Sequence, residues 1–211
     1  LLIRNYLKHQ SKSELDQGAQ ELKKAESKTV QGIIDESAEN IAKSMYRAYM
    51  ILGGTIEALT NNDASELKKV RKRVLKFEEE VESLRNNLFY LIKSLDETSV
   101  RGSNFYIFIL ANLTDIVQSL EYISKKSFKH VDNYHKALSK SQISDLSEVQ
   151  KEISTLLVGV ESAFNTKEFG DLKMSLDRKD ELLALLSSKI DAQIDHTRRE
   201  EISPKNTTLY F

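Results

Sequence analysis

Cysteine is absent from the 211 residues, which excludes disulfides, thiolate zinc sites and cysteine nucleophiles and suits a reducing compartment. Proline occurs once, at Pro204, and glycine seven times. With so few breakers and 30% charged residues, the composition is that of an all-α protein. Neither sign of charge is in excess, because 31 Lys and Arg oppose 32 Asp and Glu for a net charge of −1. No global field attracts a polyanion, so no nucleic acid is expected as a partner. The sequence contains no run of about 18 apolar residues to span a membrane and no signal peptide. A nucleophile elbow, a glycine-rich phosphate loop and a HExxH pair are likewise missing. No catalytic, cofactor-binding or metal-ligating residue is therefore assigned, and the chain reads as a non-enzyme without a cofactor.

What the chain does have is helical periodicity over nearly its whole length. From Asp63 to about Asp96, the residues Leu67, Val70, Val74, Phe77, Val81, Leu84, Leu88, Leu91 and Leu95 alternate spacings of three and four. That pattern specifies a narrow apolar seam, and Asp63 with Glu66 three residues on reads as a capped start. The seam suits an intermolecular coiled coil or an intramolecular bundle, and the short connections to neighbouring amphipathic segments favour the bundle. A preceding helix is predicted from Ser27 to Leu59, with Val30, Ile34, Ile41, Met45, Ala48, Leu52, Ile56 and Leu59 inward and Gly53-Gly54 marking a kink or a close crossing. A third is predicted from Ser99 to about Lys136, presenting Phe105, Ile109, Ile116, Leu120, Ile123, Phe128 and Val131. The pattern restarts after Ser139-Lys140-Ser141 with Ile143, Leu146, Val149, Ile153, Leu157, Val160 and Phe164, and again with Leu172, Leu176, Leu183, Leu186, Ile190 and Ile194.

An internal repeat runs through these segments. Ala58-Leu59-Thr60-Asn61-Asn62-Asp63 before Leu67 and Ala163-Phe164-Asn165-Thr166-Lys167-Glu168 before Leu172 stand 105 residues apart. Duplication of a helical unit is one reading; the shared composition of charged amphipathic helices is the other. Under duplication, the segment after Pro204 opens a further helix, and the second bundle lacks most of its third helix. An apolar groove along Ile153, Leu157, Leu183 and Leu186 is then expected, unless residues 1–24 or a neighbouring chain fill it.

Two charge-bearing clusters need weighing. Lys68, Lys69, Arg71, Lys72, Arg73 and Lys76 precede Glu78-Glu79-Glu80 on one helix. They suit an anionic membrane surface or, more simply, i, i+4 pairing on a solvated face. His130 and His135 lie about 140° apart around an ideal helix and share no ligand face. Their segment reads as the end of the third helix, where His and Lys complement the dipole.

Taken together, the repeated three-helix plan, the loop at Ala58 to Asp63, and the stretch from Phe105-Tyr106 to Leu120 followed by Ser127 to Lys136 resemble the PhoU-like domain. More narrowly, they resemble the cytoplasmic domain of bacterial inorganic phosphate or sodium/phosphate transporters, over roughly residues 28–211. The resemblance implies antiparallel helical bundles in two three-helix repeats, the second truncated at its C-terminal end. It implies a lead-in helix at 1–24, a first bundle at 25–138 and a second, incomplete bundle at 139–211. It further implies regulation of phosphate uptake from the cytoplasmic side of the cell membrane, as part of a membrane protein. The expected partners are the transporter domain of the same polypeptide, a signalling protein or a second copy of the chain. Free-standing members carry an acidic Asp/Glu-x-x-x-Asp metal motif on the third helix of each repeat. The equivalent positions here are Thr114 and Gln118, with Asp115 beside them, so the motif is broken and no metal is expected.

The start, Leu1-Leu2-Ile3 followed by Arg4, Lys8 and Lys12, reads as chain emerging from a membrane on its cation-rich side, or as a short amphipathic helix. Two other functions remain open on the residues alone: a helical scaffold assembling through its seam, and a metal-binding phosphate regulator of the free-standing type.

Overall fold

The computed structural model describes residues 30–94, 100–170 and 172–210. The expected lead-in helix at 1–24 lies outside them. Six α-helices follow one another: α1 (Val30–Thr60), α2 (Ala64–Ser94), α3 (Val100–Asp132), α4 (Lys140–Thr166), α5 (Leu172–Arg198) and α6 (Pro204–Tyr210). The described residues contain no strand, in keeping with the scarcity of breakers. No helix among them is long and apolar enough to cross a membrane.

Contacts group these helices into two compact units. Among the described residues, one comprises 30–38 with 79–94 and 100–114, the other 39–78 with 115–170 and 172–210. Helices α1, α2 and α3 each supply residues to both. The α3–α4 connection around residue 138, read from the sequence as a boundary between bundles, lies inside the second unit. In the first unit, Ala38 of α1, Val81 of α2 and Tyr106, Leu110 and Leu113 of α3 are buried.

Along α2 the buried residues follow the heptad seam, with Leu67, Val70, Val74, Phe77 and Val81 all at or below 3% exposure. From Leu67 to Val81 the seam is thus covered within a single chain, the arrangement that the short connections favoured over an intermolecular coil; Leu84 and Leu88 are half-buried, and Leu91 and Leu95 lie outside the described side chains. Asp63 caps this helix, its Oδ1 accepting from the Glu66 amide at 2.9 Å. Glu66 does not complete a capping box; its carboxylate instead receives Lys69 and Arg73. On α1, Ile41, Met45, Ala48, Leu52, Ile56 and Leu59 are buried as the pattern indicates, while Val30 and Ile34 lie outside the described side chains. Gly53-Gly54 leaves α1 unbroken and sits at a close helix approach. A Cβ at Gly54 would meet Val70 Cγ2 at 3.4 Å, and one at Gly53 would meet Gln150 Nε2 at 3.6 Å.

Helix α3 departs from expectation in two ways. It ends at Asp132, four residues before the predicted stop, because Tyr134 turns left-handed at φ 55°. The amides of Tyr134 and His135 then satisfy the carbonyls of Val131 and His130, the Schellman arrangement. Asn62 (φ 56°) ends α1 and Glu200 (φ 58°) ends α5 by the same pair of bonds. The second departure is rotational. The buried face of α3 runs through Tyr106, Leu110, Leu113, Val117, Leu120, Ser124, Ser127 and Val131, whereas Ile109, Ile116, Ile123 and Phe128 are only half-buried. Leu120 and Val131 of the expected stripe are buried and Phe105 lies outside the described side chains; two serines occupy other seam positions, so a search for apolar residues alone drifts to the neighbouring stripe.

Within the second unit, Ala58, Leu59, Leu67, Val131 and Leu138 form a core cluster, with Ile143 and Leu146 of α4 and Leu209 of α6 packed on it. Helix α4 starts with a full capping box, in which Ser139 Oγ accepts from the Gln142 amide and Gln142 Oε1 from the Ser139 amide. The apolar face of α5 is much less covered than its periodicity suggests. Leu183 is 51% exposed, Ile190 44% and Ile194 43%, while Ile153, Leu157 and Leu186 are half-buried. Of the four residues of the anticipated groove, Leu183 is thus exposed and the other three are partly covered.

Candidate functional site

The second unit encloses an apolar cavity of about 300 Å³, within reach of the size range of small-ligand sites. Leu52, Ile56 and Leu59, spaced by four and three on α1, form one wall. Leu146, Val149, Gln150 and Ile153 of α4 form the facing wall, and Leu138 closes the α3–α4 connection. Leu186 of α5 and Leu209 and Tyr210 of α6 complete it. The α3 side carries Tyr122, Ile123, Lys126 and Ser127. Of the lining residues only Tyr122 and Lys126 are exposed, which places the mouth there. Lys126 Nζ lies 5.2 Å from the centroid of the Tyr122 ring, a cation–π arrangement that holds the ammonium at the rim. No carboxylate lines the cavity.

Beside the cavity runs a chain of buried amides. Asn206 Nδ2 donates to the Ala137 carbonyl at 3.0 Å and to Gln142 Oε1 at 3.4 Å; Gln142 Nε2 donates to Gln193 Oε1 at 3.3 Å. Gln193 Nε2 in turn reaches Asp145 Oδ2 at 3.3 Å. Asp145 and Glu148 flank Lys189, at 2.9 and 2.6 Å, and their hydrogen bonds hold its proton more tightly than usual. Gln142, Gln193 and Asn206 are each at or below 3% exposure, so this network fixes α4, α5 and α6 to one register. Burial, with Asp145 nearby, pushes the Tyr210 phenol up to about 12, so it stays neutral at ordinary pH.

A second, polar cleft of about 810 Å³ lies between Gly53-Gly54 of α1, the start of α2 and Ser147 and Gln150 of α4. Its only cation is Arg73, already paired with Glu66, and Glu57 and Asp63 add further negative charge. A phosphate there would meet three carboxylates for one guanidinium, so the cleft does not select anions.

The other residues raised by the sequence are dispersed. Thr114 turns its hydroxyl back to the Leu110 carbonyl at 2.8 Å. Asp115 and Gln118 line a shallow surface depression with Ser119, Tyr122 and Ile123. No group of three His, Asp or Glu among the described residues is placed to hold a metal ion. His130 and His135, expected to point apart on a continuous helix, meet edge to face at 5.2 Å because the helix stops between them. In the basic run of α2, Lys69 and Arg73 pair with Glu66, and Arg71 stacks over Phe128 at 5.1 Å. Glu78 and Glu79 are exposed, a solvated face as read from the sequence.

The cavity walls on α1 and α4 coincide with apolar faces visible in the sequence, but the cavity itself leaves no linear signature. It exists because five elements fail to meet at one point. The amide network did leave one trace, since Ser139-Lys140-Ser141-Gln142 has the spacing of a capping box. Gln193, set between Ile190 and Ile194, left none. Comparison with protein-family models, with curated proteins and with solved structures gives no match for this chain.

Proposed function

We propose that the chain is a regulatory domain of a membrane phosphate transporter, working from the cytoplasmic side through helix-face contacts with the permease or a signalling protein. The observation that carries this reading is the 105-residue recurrence of Ala58 to Asp63 before Leu67 as Ala163 to Glu168 before Leu172, each stretch lying where one long helix gives way to the next, α1 to α2 and α4 to α5. Asn62 after α1 and Lys167 after α4 both turn left-handed, which agrees with duplication, but Tyr134 after α3 and Glu200 after α5 do the same, so the turn alone does not distinguish duplication from ordinary helix-end chemistry. Helix α5 then begins about three residues later than α2 does in the offset frame, at Leu172. Regulation requires no phosphate in the polar cleft, whose charge opposes it.

The test is uptake of radiolabelled phosphate by cells carrying the intact gene or a version deleted for residues 39–210. An altered uptake rate at equal transporter abundance is expected. Unchanged uptake, or a reading frame without neighbouring apolar spans of about 20 residues, overturns the proposal. A second reading, a helical scaffold, draws on the exposed Leu183, Ile190 and Ile194 of α5. Light scattering across a dilution series separates the two, since a mass that stays monomeric removes assembly through that face.

A further inference from the structure

We propose that the apolar cavity of the second unit binds a single-chain amphiphile with an anionic head group, its tail among the leucines and its head at Lys126. At about 30 Å³ for a water-sized group, a volume of about 300 Å³ holds a tail of about eight to ten carbons. The interior selects a hydrocarbon, because Leu52, Leu59 and Leu138 are buried and Leu146 and Leu209 half-buried around it. The mouth selects the head. Lys126 is the cation there, no carboxylate lines the cavity, and the Tyr122 ring keeps the ammonium over the opening. Inside, Tyr210 offers a neutral phenol and adds no charge that would repel an anion. This inference does not rest on the transporter reading and survives its failure.

The probes are sodium decanoate, decyl phosphate, decanol and decyltrimethylammonium, each titrated calorimetrically into the full chain below its micelle concentration. Decanoate or decyl phosphate is expected to bind one to one, decanol more weakly, and the cationic amphiphile least; the two anions show whether a carboxylate or a phosphate head is preferred. Lys126→Gln, at an exposed position, is expected to weaken the anions by about threefold to tenfold and leave decanol unchanged. Val149→Phe, which places a ring in the cavity, is expected to weaken every tail by tenfold or more. Absence of saturable binding by either anion overturns the proposal. So does equal binding of decyltrimethylammonium, or an affinity for the anions that Lys126→Gln leaves unchanged.

Discussion

Tyr134 turns the chain out of α3 at φ 55° with its side chain 94% exposed, so its ring contributes almost no packing to offset the left-handed backbone. Tyr134→Gly is expected to raise stability by about 0.5–1 kcal/mol, the relieved backbone cost less the added freedom of the unfolded chain. Asn62→Gly should change little, because asparagine tolerates the same conformation. Urea unfolding midpoints of the two variants check the contrast. One turn earlier, His130 is 4% exposed, with Nε2 3.1 Å from the Lys136 carbonyl oxygen, so that nitrogen carries the proton and donates. Burial pushes its pKa below 6.5, the carbonyl partly opposes the shift, and the neighbouring His135 adds to it. The unfolded chain therefore binds a proton that the folded chain rejects. This contribution to stability is complete above about pH 6.5 and is lost as the pH falls through the lower folded value. Unfolding midpoints measured at about pH 7.5 and 5 should separate in the native protein and draw together in His130→Gln, whose side chain does not titrate.

Helix α2 carries two leucines eight residues apart with opposite fates. Leu67 is fully buried in the seam and Leu75 is 50% exposed. Leu67→Ala is expected to cost about 2–5 kcal/mol, and Leu75→Ala to stay within about 0.5 kcal/mol, by thermal or urea unfolding. The seam was legible in the sequence because every buried position on α2 from Leu67 to Val81 is large and apolar. The buried face of α3 was legible only at Leu120 and Val131, because Ser124 and Ser127 also occupy it while Ile107 and Phe108, 41% and 71% exposed, point elsewhere. Periodicity reports where apolar residues stand, and on α3 the apolar residues surround the helix. The same limit applies to α5, whose regular leucines and isoleucines promised a burial that the fold only half supplies.

At the scale of the whole molecule, the second unit joins α4, α5 and α6 through amides. Gln142→Leu alone leaves Asn206 Nδ2, Gln193 Oε1 and the Ser139 amide short of a partner, at an expected cost of about 1–3 kcal/mol. Adding Gln193→Leu should cost less than the sum of the single changes, with a coupling of about 0.5 kcal/mol or more in a double-mutant cycle. Additive losses would remove the network from the account of how these helices hold register. The composition of that interface also sets a rank order of local opening. Helix α2 buries Leu67, Val70, Val74 and Phe77, whereas the buried residues of α4 are Gln142, Ser154 and Ala163, and among the described side chains of α5 the buried one is Gln193. Separating α5 from α4 exposes little oil and returns its amides to water, so the two helices form a weak cooperative unit beside a strong one. In deuterated solvent, the α5 amides should exchange through a partial opening well before those of α2, whose protection should approach that of global unfolding.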